Sequence, residues 1–583
     1  MKTRQLLTIL LLTALIPVQA QTQWYNPMDG DEPSLCGRAW NKEIGKTYHR
    51  LPERLKGQVT KAVWNNSRFS AGLSLKFLSS TNHISVRYVL AGKGNHLNMA
   101  WLNHSGVDLY ATDPNGNTHW IGNHMGWKMR GDTVTISYKP LTNNTAYSHR
   151  LFFELYLPPY NEVKNLEIGV DKDALFTFVP QSAERPIVVY GTSIVHGASP
   201  SRPGLMITNI VSRETGYPII NLGFSGSARM EPGMFKTLAE IDARAYIIDP
   251  MPNSFFLTDV TERAVNGVHI LRQKSDAPIL LVESCNQPDS IFNRATYNLY
   301  RKGDALLRKA YEQLKAEGVK NVFYLPSAEI GLTEDAMIEG THPNDIGNRQ
   351  YADAYERKLR EMLPEDAADK RFRPVFNFRD KIYNQFERHN AILKLNHETN
   401  PEILMIGNSI THFWGGQPES VNNGGKCWQD FFGHRRVVNM GFGWDRIENV
   451  YWRIFHGELE GCKPRHICLM IGINNLSNRD KPDDVAAGII RLAQLIHNRQ
   501  PQAKIHVIEI IPSRSYMKLV DKTNATLRAQ FPQIEGMELV DLRPMLTKKD
   551  SNEPDWSLYL RDGTHPNEKG YRLMAKGLKK HLK

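Results

Sequence analysis

The feature that most constrains this chain is a short apolar run that halts at glycine, and it occurs twice. Pro186-Ile187-Val188-Val189-Tyr190 ends in Gly191-Thr192-Ser193-Ile194, and Pro401-Glu402-Ile403-Leu404-Met405-Ile406 ends in Gly407-Asn408-Ser409-Ile410. A β-branched run of that length, closed by glycine and followed by helix-compatible sequence, reads as a buried parallel strand turning into a helix. The turn sets one serine at the carboxyl edge of a sheet, where ligands bind in open α/β folds. Taken alone, a serine there reads equally well as an N-cap that satisfies one orphan helix N–H.

Three more blocks repeat in the same order, which capping does not require. Asn221-Leu222-Gly223-Phe224 matches Asn439-Met440-Gly441-Phe442, and Pro252-Asn253 matches Ile473-Asn474. Gly340-Thr341-His342-Pro343-Asn344 matches Gly563-Thr564-His565-Pro566-Asn567. The serine-to-histidine separations are 149 and 156 residues. These residue types fit acyl transfer: a serine hydroxyl becomes a nucleophile when an imidazole takes its proton. The imidazole in turn needs a carboxylate to fix its tautomer, and Asp562 stands three residues before His565. Preorganised N–H donors must then receive the oxyanion.

Around these blocks the 583 residues divide into several regions. Residues 1–20 read as a removable secretory leader: Lys2 and Arg4, then Leu6 to Leu12, then Val18-Gln19-Ala20, with cleavage expected after Ala20. Export to the periplasm or beyond follows, with no membrane span expected later in the chain. Residues 21–182 show alternating runs such as Leu73 to Phe77, His83 to Tyr88 and Thr133 to Tyr138, separated by turns, and predict a β-sandwich. Residues 183–365 and 399–583 alternate apolar strands with helical stretches, as a parallel sheet covered on both faces requires. Residues 366–398 form a linker and helix between them. Five cysteines do not make a disulfide framework, and no Cys/His spacing suggests a metal. The net charge of +11 is scattered and accompanies no nucleic-acid motif, so it reads as a solvated basic surface.

The repeated blocks resemble the SGNH (GDSL-type) hydrolase family, named for its serine, glycine, asparagine and histidine. The resemblance implies two flavodoxin-like three-layer α/β/α domains with parallel sheets and an ester-hydrolysing activity that uses neither metal nor organic cofactor. Carried over to the first copy, it makes Ser193 the nucleophile, His342 the base, and Gly226 and Asn253 oxyanion donors. The position of the family's aspartate is Glu339, one methylene longer, with Asp335 and Asp345 as other orienters. In the second copy Ser409, His565, Asp562 and Asn474 match, and the oxyanion glycine is replaced by Trp444, whose backbone N–H survives while its side chain would narrow the site. Upstream, Gly106-Val107-Asp108-Leu109-Tyr110 resembles the segment of a β-rich domain that precedes some SGNH esterases.

An exported esterase with an accessory β domain is expected to remove O-acetyl groups from poly- or oligosaccharide. A lipid or acyl-ester hydrolase of the platelet-activating-factor acetylhydrolase type, and a glycan-binding protein on a decayed hydrolase scaffold, are the rival expectations. His196, His412 and Trp414 read as surface or packing residues near the serines, or as substrate contacts. Trp101, Trp120 and Trp127 read as core residues or sugar-stacking platforms, and Arg202 as a contact for an acidic sugar.

Overall fold

The computed structural model describes residues 21–583 apart from 93, 95, 114–116, 123–126, 139, 142–150, 183, 286–291, 365–371, 378, 380–381 and 420. The expected leader lies outside the described residues, as does the side chain of Trp127.

The N-terminal region forms two antiparallel five-stranded sheets. The strands Ser74–Ser79 and Ile84–Leu90 alternate buried with half-buried residues, so one face of each meets the other sheet. Leu75, Phe77, Val86, Tyr88, Phe153 and Ile168 fill the space between. The region is not purely β. The segment from Leu51 through the helix Lys61–Asn66 leaves the sandwich, and Leu51, Leu55, Val59 and Val63 pack with Val188, Tyr190, Ile220 and Leu222 of the next domain.

Two doubly wound α/β domains follow. In chain order the first uses strands Ile219–Gly223, Ile187–Gly191, Ala245–Asp249, Ile279–Val282 and Val322–Leu325 as second, first, third, fourth and fifth, all parallel. The second repeats the order with Val437–Gly441, Ile403–Gly407, His466–Met470, Lys504–Ile508 and Met537–Val540. Ile187–Gly191 and Ile403–Gly407 are buried at every position, the mark of strands covered on both faces. Each domain closes with a helix docked on the sheet, Asp345–Met362 and Glu568–Lys579, both capped by an asparagine (Asn344 and Asn567) that accepts two backbone N–H groups.

Further contacts join the regions. One apolar core runs from Ile187 and Tyr355 through to Ile403 and Val485, so the two α/β domains share it. Arg499 of the second pairs with Glu184 at 2.6 Å, and Tyr217 stacks on Phe455 at 5.2 Å. The sandwich is clasped to the first α/β domain by Asp108. Its carboxylate accepts from Arg202 Nη1 at 2.7 Å, from the Gly204 N–H at 2.9 Å and from Trp120 Nε1 at 2.7 Å. Arg202 also donates to the Tyr110 hydroxyl at 2.7 Å and lies over the Trp120 ring. The Gly-x-Asp-Leu-Tyr segment is therefore a domain clasp: Arg202 is spent on Asp108 rather than held out toward an acidic sugar.

Candidate active sites

Each site begins where the first strand of its sheet ends. Thr192 and Asn408 cap the short helices Ser193–His196 and Ser409–His412 by accepting the N–H two residues on. Capping thus falls to the preceding residue, and Ser193 and Ser409 project from the first helical position. The second strand is drawn close against this helix. A Cβ on Gly223 would lie 2.2 Å from the His196 nitrogen, and one on Gly441 would lie 2.2 Å from the His412 nitrogen. Only glycine permits that approach. Asn221 and Asn439 tie the same two elements together: their amides donate to Val195 O at 2.6 Å and Thr411 O at 2.8 Å, and their side-chain oxygens accept from Gly223 and Gly441 N–H. The repeated Asn-x-Gly motif is the fastener between oxyanion loop and serine helix.

The loop before each final helix brings in the imidazole. Ser193 Oγ and His342 Nε2 are 2.8 Å apart, and Ser409 Oγ and His565 Nε2 are 2.7 Å apart. His565 Nδ1 faces Asp562 Oδ2 at 2.7 Å. Asp562 Oδ1 accepts the N–H groups of Thr564 and His565 at 2.8 and 2.9 Å. Burial pushes this carboxyl up, but those backbone donors and the imidazole outweigh it and hold it below the ordinary aspartate value. In the first site Glu339 takes the same place. Its Oε1 receives His342 Nδ1 and the His342 N–H, and its Oε2 accepts the Thr341 N–H at 3.0 Å. The longer side chain makes the same three bonds with a different division: one oxygen takes both groups of His342, where Asp562 gives one oxygen to the two backbone N–H groups and the other to the imidazole. Asp345 is engaged elsewhere, accepting the Ser201 N–H at 2.6 Å, and Asp335 meets the loop through its backbone carbonyl, which accepts from Asn344.

The oxyanion side differs between the copies. Gly226 has a φ of 68°, and Trp444 in the matching place has a φ of 65°. Glycine adopts this left-handed backbone freely, whereas tryptophan pays about 1–2 kcal/mol. The Trp444 ring is 55% exposed, and its carbonyl accepts from Arg379 Nη2 at 3.0 Å. Asn253 accepts the Ala228 N–H through Oδ1 at 3.4 Å, which orients its amide. Asn474 donates one amide hydrogen to Asp445 O at 2.9 Å, leaving the second for a ligand.

Several contacts were not legible in the motifs. Asn98 of the sandwich reaches His342 Nδ1 at 3.3 Å, and the Tyr160 hydroxyl donates to Ser193 O at 3.3 Å. His196 is buried, not superficial. It accepts the Ser225 N–H on Nδ1 at 3.2 Å and donates from Nε2 to Pro159 O at 2.8 Å, and burial, then the Arg50 charge, holds it neutral. His412 is buried likewise, with burial and then Arg388 lowering it to about 2. Trp414 is fully buried, and Trp120 is 52% exposed, with its Nε1 on Asp108 and Arg202 over its ring. Among the described residues, His506, Glu538 and His581 place ligand-type atoms within 4.8 Å of one another, but they are joined by hydrogen bonds of 2.6 and 2.9 Å on the far half of the second sheet.

Known proteins resemble the chain in the same segments. A model of the GDSL-like lipase/acylhydrolase family matches residues 184–360, and another of the same description matches residues 405–573. A model of the N-terminus of SGNH-hydrolase-type esterases matches residues 22–176. The platelet-activating factor acetylhydrolase IB subunit alpha2 of Rattus norvegicus is 31% identical over 159 residues, 27% of this chain and 65% of that protein. Subunit alpha1 of Pongo abelii is 24% identical over 33% of this chain and 79% of its own length. The chain thus spans less than two thirds of the length of the first of these relatives. A crystal structure of a Bacteroides ovatus protein described as a GDSL-like lipase is 29% identical, covers 59% of this chain and 98% of its own, and superposes with a TM-score of 0.54. With two matched domains, each holding serine, histidine and carboxylate in contact, the chain belongs to the GDSL-like (SGNH) hydrolase family.

Proposed function

We propose that the protein is an exported serine esterase that removes O-acetyl groups from carbohydrate, with a catalytic centre in each α/β domain. The observation that carries the chemistry is the pair of unbroken hydrogen-bonded chains, Ser193–His342–Glu339 and Ser409–His565–Asp562. In each, serine Oγ attacks the ester carbonyl while its proton passes to histidine Nε2, and the carboxylate at Nδ1 stabilises the imidazolium. The oxyanion is received by the serine N–H, the N–H of Gly226 or Trp444, and the amide of Asn253 or Asn474. Collapse expels the alcohol with the histidine's proton. Water, deprotonated by the same imidazole, then releases the acid and restores the serine.

Carbohydrate as the alcohol is supported by the leader expected over residues 1–20 and by the sandwich clasped beside the first site. One observation favours a lipid-type ester at the first site instead. Asn98, which touches His342, also lines a cavity of about 610 Å3 with Leu97, Met99, Ile338 and Ile346. Acetate release from 4-nitrophenyl acetate, acetylated xylan and an acetylated phospholipid, measured with Ser193→Ala, Ser409→Ala and both together, tests the reading. The double variant is expected to lose turnover by at least ~10⁴-fold, and unchanged turnover refutes the mechanism. Release from the phospholipid but not from the glycan replaces the substrate assignment.

A further inference from the structure

Behind each oxyanion loop lies a buried arginine that the α/β domain does not itself supply. Arg50, from the segment that leaves the sandwich, donates from Nη1 to Asn221 O at 3.1 Å and Gly223 O at 2.9 Å. Its Nε and Nη2 donate to Phe69 O and Asn66 O at 2.9 and 2.8 Å. Arg388, on the helix Gln385–Thr399, donates from Nε to Gly441 O at 2.9 Å, from Nη2 to Asn439 O at 2.8 Å and from Nη1 to Pro418 O at 2.9 Å. The acceptors are the same two carbonyls of the repeated Asn-x-Gly motif. Each guanidinium also lies near the next residue's ring, 4.9 Å from Phe224 and 5.4 Å from Phe442.

The reason is geometric. Ile219–Gly223 and Val437–Gly441 are the edge strands of their sheets, so alternate carbonyls face outward without a strand partner. On that side Asn439 N–H already donates to Gln417 O. Arg388 spans the carbonyls of residues i and i+2 with Nε and Nη2, whereas Arg50 meets both from Nη1 and uses Nε and Nη2 to tie them to Phe69 O and Asn66 O; the planar fork fixes all these donors at once. Both arginines are buried, and neither forms an ion pair among the described residues. Desolvating such a charge without a carboxylate costs several kcal/mol. A fold that only needed its edge covered could use a strand or an amide.

We propose that Arg50 and Arg388 are positioning residues for the two oxyanion holes, each fixing the outer edge of the strand that leads into Gly226 or Trp444. The loop is pinned again just beyond: the Ser225 N–H by His196, and the matching Gly443 N–H by the Tyr383 hydroxyl at 2.9 Å. The strand edge is thus held from outside each domain, and the loop by His196 of the same domain in the first site and by Tyr383 of the preceding segment in the second. A loop displaced by about 1 Å loses on the order of 10²-fold in rate without losing substrate binding. The family-matched segment 405–573 excludes Arg388, and 184–360 excludes Arg50, so neither segment alone carries its own brace.

The inference rests on the esterase reading, and the test separates the two. In the full chain, Arg50→Lys and Arg50→Met are measured in a Ser409→Ala background, and Arg388→Lys and Arg388→Met in a Ser193→Ala background. The readouts are kcat and KM on 4-nitrophenyl acetate, the rate of serine labelling by a fluorophosphonate, and the folded fraction by circular dichroism. The expected result is a kcat lower by about tenfold for Lys and about 100-fold for Met, a parallel fall in labelling rate, and KM within about threefold. Arg50→Ala is expected to regain rate in guanidinium ion at concentrations below its denaturing range, which gives a readout where the Met variant folds poorly. Unchanged kcat, or a loss that follows the folded fraction and is not rescued, overturns the positioning role. Turnover surviving loss of both serines overturns the esterase reading instead.

Discussion

The two α/β domains share strand order, serine–histidine contact and an arginine brace, yet each departs from the other at one place in its site. The first lengthens the acid, Glu339 for Asp562, and the second replaces the oxyanion glycine, Trp444 for Gly226. The acid change is absorbed locally, because the same two backbone N–H groups are still satisfied and Nδ1 still meets a carboxylate. The glycine change is not absorbed: it leaves a strained φ of 65° and an exposed indole. A triad thus tolerates a longer acid if its loop supplies the same donors. An oxyanion loop keeps its backbone N–H under substitution at the cost of backbone strain.

The largest effect that could break this comparison is on the acids. Asp562→Asn with only Ser409 active, and Glu339→Gln with only Ser193 active, should each lower kcat/KM by about 10³–10⁴-fold, since the amide favours the wrong tautomer. Steady-state kinetics that show less than a tenfold loss for Glu339→Gln alone would remove Glu339 as the orienter. A smaller effect should follow from exchanging the oxyanion residues. Gly226→Trp should cost about 1 kcal/mol of stability and raise KM for acetylated glycan at the first site, while 4-nitrophenyl acetate is little affected. Trp444→Gly should do the opposite at the second. No Cβ contact within 4 Å opposes the first change, so the strain and the mouth are tested without a core clash.

The smallest effect concerns pH. Asp249 ends the third strand of the first sheet where Met470 ends that of the second. Burial raises its carboxyl to about 7 against the donating hydroxyls of Tyr355 and Tyr351. A carboxyl raised on folding gives stability that is present below the unfolded value of 3.8 and is lost as pH climbs through about 7. Opening free energies from hydrogen exchange over 245–249 should therefore fall between pH 5 and 8 by on the order of 1 kcal/mol, those over 466–470 should not, and Asp249→Asn should flatten the slope.

Much of this was legible in the residues. The runs at Ile187, Ile279 and Ile403 announced fully buried strands, and the four blocks announced which side chains converge. The second strand of each sheet was harder to read, because Asn221-Leu222-Gly223 and Asn439-Met440-Gly441 break an apolar run with the residues that fasten it to the serine helix. His196 and His412 stood visibly three residues after the serines, but nothing local tells a buried hydrogen-bonded imidazole from an exposed one. Arg50, Arg388 and Asn98 carry no motif, since their contacts are made across 171, 53 and 244 residues of chain. Asp108 and Arg202 were visible singly, and only the folded clasp pairs them.

The central claim is that both serines are nucleophiles activated by their own histidines. Treating the full chain with a fluorophosphonate and mapping the adducts by peptide mass spectrometry tests it most directly. Adducts on both Ser193 and Ser409, with the first lost in His342→Ala and the second in His565→Ala, are the predicted result. A folded protein that labels at neither serine, or labels equally well without its histidines, contradicts it.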